Sequence, residues 1–182
     1  RRAVLGRRGF SHAPGKPATQ LNDLREPNAA PPELRQYFRD LYDGQIRFVD
    51  ESIRALLQGL KFLGRLDNTV FIITSDHGEE FWDHGSAEHG HSLYNELLHV
   101  PLIIAGSSIG HQRIAEPVSL IDVMPTLLDL AAIPRDHAGL QAVSLVPGSN
   151  AFASNRVLYA SGMMYGPEAF CLMRNEHKLI YR

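Results

Sequence analysis

The residues with the most chemistry in this chain lie in Ser75-Asp76-His77-Gly78 and the fourteen positions that follow His77. Asp76 offers a hard anionic oxygen and His77 a borderline imidazole nitrogen, the two donor types a divalent cation or a general acid/base site needs. A mixed oxygen and nitrogen set suits zinc or manganese readily, and calcium less readily because calcium prefers all-oxygen shells. An isolated Asp-His pair would more often cap a turn and pack. Here His84, His89 and His91 follow within fourteen residues of His77, and that density favours a functional site. His89-Gly90-His91 sets two imidazoles two residues apart, so on an extended segment they share a face. Either can donate a hydrogen bond to an anion or a proton to a leaving group. Glu79 and Glu80 read as solvated, with a role in orienting a histidine as the alternative. Trp82 and Tyr94 read as packing residues. Read from residue types alone, His12 of His12-Ala13-Pro14 is an exposed loop histidine, and Cys171 a small buried hydrophobe.

These residues need elements to position them. Val70 to Thr74 is a short β-branched apolar run, read as a buried strand that ends where the polar cluster begins. Ligands of open α/β sheets bind beyond such strand ends. Neighbouring side chains on a strand point to opposite faces, so the chain must turn at Asp76 for both donors to converge, and Gly78 is expected to give that turn its freedom. Before the strand, Pro31-Pro32 opens a helical pattern whose apolar positions run from Leu34 to Leu63 in steps of mostly three and four. Gly44 is expected to divide that pattern into two helices, and Gly64 to cap its end. After the cluster, the pattern predicts a short helix over 93–98 and a second buried strand over 100–105. A strand over 118–121 and a helix N-capped by Asp122 follow. Strands are predicted over 157–160, 170–174 and 178–181, the last two joined by a turn at Asn175-Glu176-His177. The fold class expected is α/β: a mostly parallel central sheet with flanking helices, then a small antiparallel C-terminal sheet. The boundary is expected near residue 150, giving 1–150 and 151–182.

Composition narrows the function classes. The 182 residues are 44% hydrophobic and 21% charged with a formal net charge of −2, ordinary for a globular protein. No basic stripe recurs beyond the first eight residues, which argues against nucleic acid as a partner. A single cysteine forbids an intrachain disulfide and leaves the redox compartment open. No apolar run approaches the roughly 20 residues of a membrane helix. The first residue is not methionine, and the expectation is that residue 1 is not the natural start.

The runs N-T-V-F-I-I-T-S-D-H-G-E-E (68–80) and H-G-H-S-L-Y-N-E-L-L-H-V-P-L-I-I-A-G (89–106) resemble the carboxy-terminal half of the sulfatase family, within the alkaline phosphatase superfamily. The run V-S-L-I-D-V-M-P-T-L-L-D-L-A-A-I-P (118–134) is similar to the family's helix after the core sheet, and Asn175 to Tyr181 to its closing hairpin. The resemblance covers about Tyr42 to the end and implies an alkaline-phosphatase-like sandwich.

The resemblance also implies roles. Asp76 and His77 match the adjacent pair that holds the family's metal ion. Many sulfatases carry Asp-Asn there and bind calcium, whereas Asp-His is similar to the phosphonate monoester hydrolase branch and many bacterial sulfatases. One divalent ion is implied, calcium by family, with manganese or zinc open to an Asp-His pair. His91 stands nearest to the lysine that relatives place before the tyrosine, so a catalytic role is carried to it, with His89 as its neighbour on the substrate. His12-Ala13-Pro14 resembles the family's H-x-P, whose histidine faces the sulfate. The implied substrate is a small-molecule or glycan sulfate ester. The C/S-x-P-x-R motif that yields the family's formylglycine nucleophile does not occur in these 182 residues. The chain therefore reads as a truncated portion of a sulfuric ester hydrolase, inactive alone. The alternatives are a phosphodiester or phosphonate monoester hydrolase, a phosphoryl transferase of the same superfamily, or a non-catalytic remnant. The compartment stays open, since relatives are periplasmic, secreted, lysosomal or cytoplasmic.

Overall fold

The computed structural model describes residues 30–107, 109–134, 141–146 and 156–182. In order, these form α1 (Pro32–Phe62), β1 (Phe71–Thr74), β2 (Glu80–Phe81), β3 (Ala87–Glu88), α2 (Asn95–Leu98), β4 (Leu102–Ala105), α3 (Val123–Leu130), β5 (Leu158–Ser161), β6 (Phe170–Arg174) and β7 (His177–Tyr181). Contacts group them into two compact units, one holding α1 as far as Ala55 with Glu79–Glu88, the other Leu56–Gly78 with His89–Arg182.

In the first unit, α1 starts at Pro32, whose missing N–H costs nothing in a first turn. It runs unbroken through Gly44, where two helices were expected. A single glycine costs a helix only about 1 kcal/mol, and 31 consecutive helical residues absorb that. Against its first turns lies a hairpin the alternation pattern does not announce, β2 paired antiparallel with β3 through Glu80↔Glu88 and Phe81↔Ala87. Ala30, Trp82 and Ala87 form the buried cluster here, with Leu34, Phe38 and Phe81 packed on it. Arg39 ties helix to hairpin by donating to the Phe81 carbonyl at 3.0 Å. Glu80, read as solvated, is only 1% exposed. Its Oε1 accepts the backbone N–H groups of His84 (3.0 Å) and Ser86 (2.9 Å), so the carboxylate organises the hairpin loop from inside.

The second unit begins with the end of α1. Gly64 has φ +63; its N–H reaches the Lys61 carbonyl (3.1 Å) and that of Arg65 reaches Leu60 (2.9 Å), a Schellman ending as expected of this glycine. β1 and β4 pair antiparallel, with Phe71↔Ala105 and Thr74↔Leu102. No parallel pair occurs among the described residues, so the mostly parallel order expected of the central sheet is not what this pair displays. The intervening 27 residues between Thr74 and Leu102 reverse the chain through α2 rather than cross over the sheet. Neither strand is buried on both faces; Ile103 is 53% exposed.

Residues 118–121 are not a strand. Ser119 and Asp122 close a capping box around the short 3-10 turn Leu120–Asp122, and α3 follows directly. The Asp122 carboxylate does not cap α3. It is fully buried and held by Arg156 through two bonds of 2.6 and 2.7 Å, by Ser119 N–H (2.8 Å) and by Val143 N–H (3.0 Å). β5, β6 and β7 form the expected antiparallel sheet in that order. Leu93, Ala169 and Cys171 are its buried core, with Ile180 and Met173 against them. The turn between β6 and β7 is Asn175-Glu176, with Asn175 at φ +54, which asparagine tolerates.

Candidate active site

All described site residues here lie in the second unit. β1 ends at Thr74, whose hydroxyl donates to the Pro101 carbonyl at 2.8 Å and ties the end of the strand to the start of β4. The next three residues turn the backbone, as convergence of the two donors requires. Ser75 Oγ donates to the His77 carbonyl at 2.6 Å, and the His77 N–H donates to Asp76 Oδ1 at 3.0 Å. His77 Nδ1 lies 2.8 Å from the Gly78 carbonyl. A carbonyl only accepts, so Nδ1 carries the proton in this contact and Nε2 is the ring nitrogen left for another partner. That Nε2 stands 3.7 Å from Asp76 Oδ1. The structure thus brings the expected pair together, on the exposed side of the turn.

Gly78 is needed for a different reason than the one read from sequence. Its φ is not positive. Instead its N–H donates to the Leu97 carbonyl at 2.9 Å, and a Cβ at this position would overlap the Glu96 carbonyl oxygen and stand 2.9 Å from its carbon. The glycine is a close-approach residue that lets α2 back the Asp76-His77 turn.

His89 joins this pair: its ring stacks on that of His77 with centroids 4.0 Å apart and planes at 27°. His91 does not follow as a strand neighbour. Gly90 has φ +83, so the segment is bent there and the extended arrangement, in which the two rings would share a face, does not apply. His91 is half-buried, and beside it Ser92 is 5% exposed with its hydroxyl lacking a hydrogen-bond partner among the described residues. His12 lies outside the described residues.

Two supports were invisible in the sequence because they span long separations. Met164 and Tyr165 donate their N–H groups to the Gly90 carbonyl at 2.8 and 2.9 Å, and Lys178 of β7 donates to the Asn95 side chain at 2.8 Å. The only hint was local: glycines at 162 and 166, flanking the Met-Met-Tyr run, mark a turn. Partial burial pushes the Lys178 ammonium below its ordinary range, with the neighbouring Cys171 and Glu96 opposing that shift. Burial pushes the Cys171 thiol up, with Lys178 opposing.

With this geometry in hand, the chain can be set beside known proteins. The sulfatase family model matches residues 9–133. Arylsulfatase K of Bos taurus is 36% identical over 118 residues, 64% of this chain and 22% of that protein. Among solved structures, the phosphonate monoester hydrolase from Silicibacter pomeroyi matches with a TM-score of 0.65 and 27% identity, over 82% of this chain and 33% of that one. A protein in complex with its substrate D-glucosamine-2-N,6-O-disulfate matches with a TM-score of 0.55 and 26% identity, over 74% of this chain and 29% of that one. The chain spans between a fifth and about a third of the length of these relatives. The shared fold is the alkaline-phosphatase-like one expected, and the match over residues 9–133 identifies the chain as a member of the sulfatase family of hydrolases.

Proposed function

We propose that these residues supply the metal pair and part of the substrate site of a metal-dependent sulfatase that hydrolyses sulfate esters. The observation that carries the reading is the approach of Asp76 Oδ1 and His77 Nε2 to 3.7 Å, with the other ring nitrogen engaged by the Gly78 carbonyl. Two donors bound to one cation at about 2.0–2.4 Å each stand roughly 3–3.7 Å apart. The separation of the pair is compatible with one shared ion. The Nδ1–H bond to the Gly78 carbonyl is the orienting contact that metal-ligating histidines use. Sulfatases as a family are metal-dependent, and the donor set leaves calcium, manganese and zinc in play. A bound divalent cation would supply positive charge against the oxygens of the ester.

The remaining roles belong to the chain. His91 is proposed to act on the leaving alkoxide as proton donor, with His89, anchored on the His77 ring, directing hydrogen bonds to sulfate oxygens. His12 is proposed to face the sulfate. Ser92, buried beside His91 with an unspent hydroxyl, is a further donor for the anion. No nucleophile is assigned among these residues. The substrate class is a small-molecule or glycan sulfate ester, in keeping with the sulfated sugar held by one structural relative. The 1–150 and 151–182 division remains part of this reading, with the β5–β7 sheet as a C-terminal subdomain.

The test is isothermal titration of the full-length protein with calcium, manganese and zinc, followed by turnover of 4-nitrophenyl sulfate. One divalent ion per chain is expected, with Asp76→Ala or His77→Ala weakening it on the order of 100-fold. Unchanged affinity in both variants would remove the assignment. A second reading, phosphonate monoester or phosphodiester hydrolysis, is favoured by the Asp-His pair and by the Silicibacter pomeroyi relative. Faster turnover of a phosphonate monoester than of the sulfate ester would select it.

A further inference from the structure

The loop that joins β5 to β6 rests on the residue that separates the two histidines. Gly90 lies between His89 and His91, and its carbonyl accepts both Met164 N–H (2.8 Å) and Tyr165 N–H (2.9 Å). A Cβ on Gly90 would stand 2.8 Å from Met164 Cβ and 3.5–3.6 Å from the edge of the Tyr165 ring. The backbone bonds hold the loop to the residue between the two histidines. Met164 is 68% exposed and Tyr165 46% exposed. Gly162 (φ +103) and Gly166 (φ +88) bracket this tip and give it the backbone conformations a tight loop requires. A thioether and a phenol thus stand partly exposed beside the His89–His91 bend.

We infer that Met164 and Tyr165 form a wall of the substrate site that meets the alcohol part of the ester. The inference rests on the sulfatase reading and deepens it. Tyrosine offers a flat apolar face at low entropic cost, and methionine adapts to the outline of what lies against it. The alcohol part this pair would take presents a flat, weakly polar face: an aromatic ring or the C–H face of a pyranose. Both residues are specificity residues, touching a part of the substrate where no bond changes.

The experiment reads the binding of three sulfate esters by the full-length protein with its divalent ion from KM and kcat/KM. The esters are 4-nitrophenyl sulfate, glucosamine 6-sulfate and methyl sulfate, and the variants are Tyr165→Ala, Tyr165→Phe and Met164→Ala. Tyr165→Ala is expected to weaken a ring-bearing ester roughly 10-fold while methyl sulfate changes less than about twofold. Tyr165→Phe should keep the ring-bearing ester, which also guards against a variant that merely misfolds. Loss confined to 4-nitrophenyl sulfate identifies an aryl substrate; loss confined to glucosamine 6-sulfate identifies a sugar. Equal weakening of all three esters, or of none, overturns the wall. A wild-type protein that binds none of them overturns the sulfatase reading itself, and the wall with it.

Discussion

His77 and His89 lie ring on ring, 4.0 Å between centroids, although they stand twelve positions apart in the sequence. The contact makes the second histidine a backstop for the first, whose lone pair must hold one direction. Removing that backstop should loosen the proposed metal pair without unfolding the chain. His89→Ala is expected to weaken divalent-ion binding by several-fold, in line with about 0.5–1.5 kcal/mol for a ring pair. His89→Phe, which keeps a flat ring, should retain most of the affinity. Titration of both variants beside wild type checks this; equal loss in the two would assign His89 a ligand role instead.

Gly78→Ala should destabilise the second unit. The new methyl has no room against the Glu96 carbonyl, and that atom is backbone rather than a side-chain tip. Displacing α2 also stretches the Gly78–Leu97 hydrogen bond. A cost of about 1–3 kcal/mol is expected, read from the urea midpoint. A stability change under about 0.3 kcal/mol, taken as the midpoint shift times m, would mean that α2 yields freely.

The Asp122–Arg156 pair is the most demanding ionic contact described, with a carboxylate that has no exposure at all. Asp122→Ala leaves the guanidinium without its partner and frees the Ser119 and Val143 amides. The loss should reach about 3–5 kcal/mol, a large part of a domain's total stability. The double variant Asp122→Ala/Arg156→Met should cost less than the sum of the two single variants in a denaturation cycle. Additive losses would show that the two side chains act independently.

Cys171 has no exposed surface, and burial raises its thiol above the ordinary range. The sign of the pH effect follows. A thiol that holds its proton more tightly when folded adds stability below the unfolded pKa of about 8.5, lost as pH rises through the folded value. Lys178, lowered by burial, acts in the opposite sense: its contribution is present above its unfolded value and lost as pH falls through the folded one. The two oppose each other on the alkaline side, and the difference between wild type and Cys171→Ala reads the thiol together with its effect on Lys178. That difference should shrink as pH climbs past about 8.5. Native protein should resist thiol alkylation at pH 8 and react only on unfolding; rapid native labelling would contradict the burial.

The Asp76-His77 turn and the closing hairpin were legible because each rests on local pattern: a β-branched run stopped by polar residues, and two alternating runs around an asparagine. The Schellman end at Gly64 was legible for the same reason. The continuous α1 was not, since one glycine sends a strong local signal that 31 helical residues outweigh. Glu80 was misjudged because its amide partners come from a hairpin loop the pattern does not announce, and Asp122 because its amide and guanidinium partners at Val143 and Arg156 lie far along the chain. The conformation at Gly90 was left open by the sequence, and the Met164 and Tyr165 amides that engage its carbonyl lie more than seventy residues downstream. The direction of β4 was likewise beyond a reading of periodicity, which carries no sign for strand polarity.

The doubled hydrogen bond on Gly90 makes two amide protons reporters of the histidine bend. Met164 and Tyr165 sit on a loop whose side chains face solvent, yet their N–H groups are engaged by one carbonyl. Their hydrogen–deuterium exchange should be slow for as long as His89 and His91 keep their arrangement, and should quicken together if that arrangement opens. Isotope uptake in a peptide that contains no histidine would then record, in real time, how often the histidine segment lets go.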